Sequence, residues 1–519
     1  MRSALPFRLA TSRMARVGYA VLVITLVSLV SIFQGKPRVW AVDEVPVAFW
    51  AWRTQSPDRS DIRAAIEKAH AQVLFLRAGQ IDYHDGKLRR IRPLTGSLSQ
   101  GIKLHLVYNT TRAVLEELES IDPQILATEI SRVYREDSER ARRDGAEVRG
   151  LQLDIDFPTR LLARYEQTLN ALRKDLQPGT ELSITGLPTW MDSQALHSVL
   201  QDVDFWVPQF YGAETPTHSS QIVPISSPKS ITYFVNKARQ LDKPFYAGLA
   251  AYSVALLYSA SGSLISLRGD MNPALIASDP NLELSNQRSF ESAERRYAFR
   301  AKADGVTDGL NMHAGDVLVL DLPGAESLRI AARITRELGG KQLLGICVFR
   351  LPARDDPATL TVEQVTEALN DRNSVANIEV HIKAESQDPK TQFGSGANPN
   401  NIHKLTLKNS GTASPLVGSL MVDLSVPAGS FEAILAQPGV SIQPMCVIGA
   451  TTGPQPCNQR RATLLRLTTR FLPPGQTLTT SLVLNRALSR TTSASIAMQT
   501  DTDQTYSVQR EVLIEAGVK

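Results

Sequence analysis

Cysteine is scarce. The 519 residues hold three, Cys347, Cys446 and Cys457, too few and too scattered for a thiolate metal cluster. His84 and His105 lack a partner at HxxxH or HxH spacing, so the sequence points to no metal site, and nothing in it calls for a cofactor. No Gly-rich phosphate loop accompanies the Asp154-Ile155-Asp156 pair, which argues against a glycosyltransferase holding a metal-bound nucleotide sugar. Internal repeats and heptad runs are absent. So is early acid: no Asp or Glu precedes Asp43, whereas Arg2, Arg8, Arg13 and Arg16 stand before an uncharged run from Val17 to Phe33.

That asymmetry predicts a signal peptide or an uncleaved N-terminal membrane anchor over residues 1–41. Val39-Trp40-Ala41 offers a small-residue cleavage pattern, and Lys36 and Arg38 weigh against cleavage. In either case the remainder is expected outside the cytoplasm, periplasmic or anchored to the inner membrane, with the membrane as a partner if the segment stays. The first 41 residues hold six basic and no acidic residues, so the formal +4 of the chain becomes −2 without them. The basic balance belongs to the targeting segment and gives no support to a nucleic-acid partner. Cys446 and Cys457 flank the turn Gly453-Pro454-Gln455-Pro456 and can close a small disulfide loop in an oxidising compartment; Cys347 reads as a buried small hydrophobe.

The chain is too long for one core. From residue 45 to 352, apolar strand-like runs alternate with amphipathic stretches. Strands are expected at 47–53, 73–78, 104–109, 150–156, 182–187, 205–211, 245–251 and 344–350. Helices are expected at 122–144, 161–176, 227–241 and 325–338. Eight such strands make a closed α/β barrel, a (β/α)8 or TIM barrel over residues 42–371. A long insertion, 252–343, interrupts it, with a helix-like 286–295 and a hairpin-like pair at 296–302 and 316–321. Beyond residue 372 the composition turns to Ser, Thr, Asn and Pro. Alternating runs at 377–384, 405–409, 418–426, 462–471, 477–484 and 493–499 predict a C-terminal antiparallel β-sandwich over 372–519, with 387–400 as a loop.

The most informative run is Arg149 to Pro158. Along a strand, Gln152, Asp154 and Asp156 share one face. Carboxylates in an otherwise apolar, buried strand carry a desolvation cost, which marks a site at the strand's carboxyl end. Paired carboxylates also drive their pKa values apart, the division that acid/base chemistry needs. The bland alternative is an Asp pair that caps the next helix.

Several strand ends are similar to those of the family 18 glycoside hydrolases, the chitinase-like barrels. Their Asp-x-Asp-x-Glu corresponds to Gln152, Asp154 and Asp156. Their Met-x-Tyr-Asp corresponds to Gln209-Phe210-Tyr211-Gly212, and their Gly-Leu-Pro-x-Tyr to Gly248-Leu249-Ala250-Ala251-Tyr252. Phe349 stands where that family places a Trp under the sugar. The stretch from 45 to 352 more closely resembles a bacterial group of such barrels, domain of unknown function 3142. It does so through Ala51-Trp52, Leu153-Asp154-Ile155-Asp156, Pro208-Gln209-Phe210-Tyr211-Gly212 and Gly345 to Pro352. The resemblance implies Asp156 as general acid, Asp154 as its partner, and Tyr211 and Gln209 around an N-acetyl group. The departures are a shorter Asp156 in place of Glu, Gln152 in place of the first Asp, and Gly212 in place of Asp.

Sugars bind to aromatic platforms flanked by hydrogen-bonding groups. Trp50, Trp52, Trp190, Tyr211, Tyr252 and Phe349 are the aromatic candidates; Trp190, in a loop, is the better stacking residue, and Trp50, Trp52 and Trp206 read equally well as core. Arg77 and Arg350 can pair with the Asp cluster, with a substrate carboxylate, or in structural ion pairs. Asn109 can orient a sugar hydroxyl or make a turn. The expected partner is a poly- or oligosaccharide, and the expected activity is hydrolysis of a glycosidic bond in an envelope or extracellular polysaccharide, with N-acetylhexosamine-containing glycans among the candidates. An inactive carbohydrate-binding barrel, and an envelope scaffold whose C-terminal domain binds a protein partner, stay open as alternatives.

Overall fold

The computed structural model describes residues 40–53, 56–96, 98, 101–384, 402–435, 439–447, 453–486 and 488–515. Eight parallel strands form the barrel: β1 (Val47–Ala51), β2 (Ala71–His84), β3 (Lys103–Thr110), β4 (Glu147–Asp154), β5 (Glu181–Gly186), β6 (Phe205–Pro208), β7 (Phe245–Ala250) and β8 (Leu343–Phe349). Each pairs with its neighbour in order. β8 returns to β1 with Trp50 beside Phe349, and β1 pairs onward with β2, which closes the ring. All eight expected strands are present, but three end two or more residues early: β1 stops at Ala51, β4 at Asp154 and β6 at Pro208.

The strands are apolar on both faces because both are covered. Outward residues such as Leu74, Leu106, Leu153 and Ile184 meet the helices in one large core. Inward residues Ala48, Trp50, Val73, Phe75, Val107, Phe205, Val207 and Cys347 fill the interior. The helices start where the sequence places stop-and-start signals. Asp122 caps Pro123–Arg143 by accepting from the Gln124 amide at 2.7 Å, and Ser227 and Ser230 cap Pro228–Gln240 reciprocally.

Between β7 and β8 the insertion forms a five-stranded sheet, in the order Leu264–Arg268, Val254–Tyr258, Val317–Leu322, Arg295–Ala301, Leu282–Ser289. The pair Arg295–Ala301 and Val317–Leu322 is antiparallel, as the hairpin reading expects. The expected helix 286–295 is instead the end of the edge strand Leu282–Ser289, the turn after it and the first residue of the strand Arg295–Ala301. Only Leu282 of the edge strand is buried, so it presents no apolar period of either kind.

The C-terminal strands, from Ile378–Ala384 to Thr505–Glu515, make two mostly antiparallel halves around a shared core of Ile378, Leu405, Val422, Leu467, Leu482 and Ile496. Strands Phe431–Leu435, Val440–Cys446 and Thr505–Glu515 add to the six runs expected from sequence. A disulfide joins Cys446 and Cys457. This domain docks on the insertion. Phe471 completes the insertion's apolar core, and the Arg470 guanidinium donates to the carbonyls of Ala277, Asp279 and Leu282. A cavity of about 400 Å³ lies where barrel, insertion and C-terminal domain meet, lined by Asp61, Lys68, Pro352, Thr361, Phe471 and Pro474 among others.

No helix among the described residues is long and apolar enough to cross a membrane. The run from Val17 to Phe33 and the expected loop 387–400 lie outside them.

Candidate active site

Strand alternation stacks the inward side chains in layers, and the uppermost inward positions are polar on β3 to β5 and aromatic or small on β7 and β8. Register places Asn109 beside Asp154, Phe349 beside Ala250 and Gln209 beside Gly248. One layer down, Trp50 crosses the barrel and its indole donates to Gln152 Oε1 at 2.6 Å. Gly248 makes that crossing possible, because a Cβ there would meet the Trp50 ring at 3.2 Å and the Pro208 carbonyl at 2.7 Å. Gln152 also faces Ser183 Oγ at 3.4 Å and has no exposed surface. It is therefore a buried strut beneath the site, which corrects its expected role in substrate binding.

Asp154 is the last residue of β4. Its Oδ1 accepts from the Thr185 hydroxyl on β5 at 2.6 Å. Burial pushes its carboxyl up to about 7; the neighbouring Asp156 charge adds to the rise, while the Thr185 bond and the Arg77 cation oppose it. Asp156 lies past the end of the ladder, yet alternation continues: Ile155 and Phe157 point into the helical core, so Asp154 and Asp156 still share the inner side. A tight turn fixes this, with the Phe157 amide donating to the Ile155 carbonyl at 2.8 Å. Asp156 is exposed, but the surrounding protein withdraws enough water to raise its carboxyl as well.

An aromatic shelf borders the pair. The Phe349 ring lies 6.0 Å from Tyr211 in a stacked arrangement and meets Tyr252 edge-on at 5.1 Å and Trp52 at 6.0 Å. Burial holds the Tyr211 hydroxyl well above its usual range, and the charges of Asp154 and Asp156 contribute to that rise. Trp52, Asn109, Gln209, Tyr252 and Phe349 remain partly open to solvent. Arg77 on β2 is buried, donates from Nε to Asn109 Oδ1 at 3.2 Å, and sits 5.3 Å over the Trp52 ring. The insertion forms the far wall. Its Tyr258, Leu256 and Val254 pack with Tyr211, and its buried Glu294 accepts from the amides of Ile225 and Ser226 at 2.8 and 2.9 Å, tying down the loop after β6.

Two further expectations are corrected. Trp190 is not a stacking platform. It has no exposed surface, packs edge-on to Tyr165, and donates from its indole to the Phe157 carbonyl at 2.9 Å, bracing the Asp156 loop from behind. Arg350 does not face the aspartates; its guanidinium forks onto Asp356 at 2.7 and 2.8 Å and reaches the Gly269 carbonyl. Gly212, where the resembling family has Asp, is in the left-handed region with nothing near the position of a Cβ.

Sequence reading missed Thr185 and Tyr165. Thr185 carried a signal: with Ser183 it alternates against apolar Leu182 and Ile184, the same pattern that singled out β4. Tyr165 carried none. It lies on the core face of helix Leu162–Asp175, and its buried hydroxyl has no hydrogen-bond partner among the described residues. Burial raises its pKa, and both aspartate charges add to the rise.

Residues 114–285 match the model of a family described as Domain of unknown function (DUF3142), a span that holds β4 to β7 and both aspartates. The resemblance noted in the sequence is borne out there. No curated protein matches the chain. Among solved structures, the spore cortex-lytic enzyme SleL of Bacillus cereus is similar at 16% identity and TM-score 0.44, covering 63% of this chain and 74% of that one. A class V chitinase from Pseudomonas fluorescens Pf-5 is similar at 15% and 0.43, covering 63% and 99%. A chitinase-like agglutinin from Robinia pseudoacacia is similar at 13% and 0.40, covering 62% and 99%.

Proposed function

We propose that this protein hydrolyses glycosidic bonds in an envelope or extracellular polysaccharide, with Asp156 as general acid and Asp154 as its partner. The observation that carries this reading is the carboxylate pair on the inner side of β4's carboxyl end, both members raised, beside the Trp52, Tyr211, Tyr252 and Phe349 shelf. A raised pKa lets a carboxyl hold a proton for delivery to the leaving oxygen, and the exposed Asp156 is the member of the pair a glycan can reach. The pair shares a proton: while Asp156 holds it, Asp154, fixed by Thr185, is the ionised member and stabilises the charge that develops in the sugar. If the sugar is an N-acetylhexosamine, Asp154 orients the acetamido nitrogen while Tyr211 and Gln209 contact its oxygen, a substrate-assisted route.

Delivery across a membrane belongs to the same proposal. It rests on the arginine-flanked run from Val17 to Phe33, and the Cys446–Cys457 disulfide supports an oxidising compartment. A carbohydrate-binding barrel without catalysis is the second reading, favoured by the bare Gly212 position and by the buried Gln152 beneath Asp154.

The test is to incubate the purified protein with β-linked N-acetylglucosamine, glucosamine and other envelope glycans, beside Asp154→Asn and Asp156→Asn. Cleavage that both variants lose establishes the glycosidase. Binding without cleavage, unchanged in the variants, moves the protein to the second reading.

A further inference from the structure

The mouth of the barrel holds a cation that the proposed chemistry leaves unused. Arg77 is only 7% exposed, and of its donors only Nε has a hydrogen-bond partner among the described residues, the Asn109 side chain at 3.2 Å. Its two terminal nitrogens meet no carboxylate or carbonyl there. Two of the other arginines buried to this degree have an anionic partner, and the third, Arg336, has like Arg77 one bond to a neutral oxygen but does not stand at the barrel mouth. Arg296 forks onto Asp321 at 2.6 Å through both Nε and Nη2, Arg295 reaches the Asp501 carbonyl and Asp503, and Arg336 reaches the Leu369 carbonyl. A buried guanidinium without an anion is costly, and a protein that keeps one at a site opening gains from it only when an anion arrives.

The surroundings narrow what that anion is. Arg77 shares the inner side of the barrel with Asn109, Asp154 and Trp52, so its fork stands in the same mouth as the aspartate pair. Asp154 does not complete the fork: its Oδ1 is taken by Thr185, and burial draws it toward the neutral acid. The nearby charge of Arg92 adds to the positive field. The guanidinium sits over the Trp52 face at 5.3 Å, a contact that leaves its terminal nitrogens for a planar, bidentate anion.

We propose that Arg77 binds a carboxylate borne by the glycan, so that the substrate is an acidic polysaccharide carrying a uronic-acid or a lactyl-ether carboxyl one subsite from the scissile bond. This rests on the glycan reading above and names the sugar class that reading leaves open.

Binding is measured by calorimetry on the full chain carrying Asp156→Asn, so that ligands survive. Four probes are used: chitotetraose, a hyaluronan tetrasaccharide, the same tetrasaccharide with its uronic carboxyls reduced to alcohols, and the disaccharide of N-acetylglucosamine and N-acetylmuramic acid. One of the carboxyl-bearing probes is expected to bind about tenfold or more tighter than its neutral counterpart, and which one identifies the carboxyl's source. Adding Arg77→Gln should erase that preference, so that the reduced and unreduced tetrasaccharides bind alike, and Arg77→Lys should keep only part of it. If Arg77→Gln does not fold, the reduced and unreduced tetrasaccharides, together with Arg77→Lys, carry the same comparison. Equal binding of acidic and neutral probes, or a preference that survives Arg77→Gln, overturns the inference while the glycan reading stands. Binding of none of the four removes the glycan reading and this inference with it.

Discussion

Arg77 and Arg350 crown two strands of the same barrel, yet they do opposite things. Arg350 is spent. Both ends of its fork lie on Asp356, Asp356 also accepts from the Ala358 amide, and the remaining nitrogen reaches the Gly269 carbonyl. Arg77 has one hydrogen bond and stands beside a carboxyl that Thr185 already holds. A satisfied fork of the first kind fixes the chain after β8, whereas an unfinished one leaves capacity for a molecule that is not part of the fold. The same contrast separates the carboxylates: Asp356 is committed to Arg350, while Asp154 and Asp156 are left without a basic fork and carry raised pKa values instead.

The sharpest way to break this contrast is kinetic. Asp156→Asn should lower kcat on a cleaved glycan by about 10²–10⁴-fold, the scale of a lost general acid, with the melting temperature nearly unchanged. Asp356→Ala should do the reverse. Leaving the half-buried Arg350 with only the Gly269 carbonyl is expected to cost about 2 kcal/mol, read as a lowered denaturation midpoint, and a midpoint unmoved by this substitution would equate the two corners.

A smaller effect follows from the raised carboxyl of Asp154. Its pKa is about 7 in the fold against an ordinary 3.8, so the folded state holds the proton more tightly. Its contribution to stability is fully present below pH 4 and is lost as pH rises through 7. Asp154→Asn should therefore stabilise the protein at pH 8 by roughly 1–2 kcal/mol and leave it unchanged at pH 4, as thermal melts at the two pH values would show. Smallest is Trp190→Phe. Removing the indole bond to the Phe157 carbonyl should cost about 1 kcal/mol and lower kcat more than it raises KM, because it loosens the loop that aims Asp156.

The barrel was legible because its strands are apolar on both faces and its helices carry caps, so local pattern and tertiary burial agree. Asp154 and Asp156 were legible for the opposite reason: they violate that pattern. Sequence could not assign Trp190, because a loop position says nothing of what packs over it, and here helix Leu162–Asp175 does, through Tyr165. Nor could it assign Arg350, whose partner Asp356 lies six residues on in a loop that folds back. Gln152 looked like a subsite residue because it shares a face with Asp154; only the closure of the ring brings Trp50 across to cover it. Residues 286–295 resemble a helix in sequence because the edge strand that ends at Ser289 has a single buried residue, Leu282, and so no period to read.

The seam between insertion and sandwich bears on how the chain would come apart. Residue 371 is a natural place to divide the sequence, but a cut there would strip Phe471 from the insertion's core, uncap three carbonyls held by Arg470, and leave Arg295 facing solvent. The excised barrel would keep its ring of strands and lose the support behind the sheet that walls its mouth. A protease nick or a gene fusion at that border would thus reach the aspartate pair indirectly, through a wall that had lost its backing.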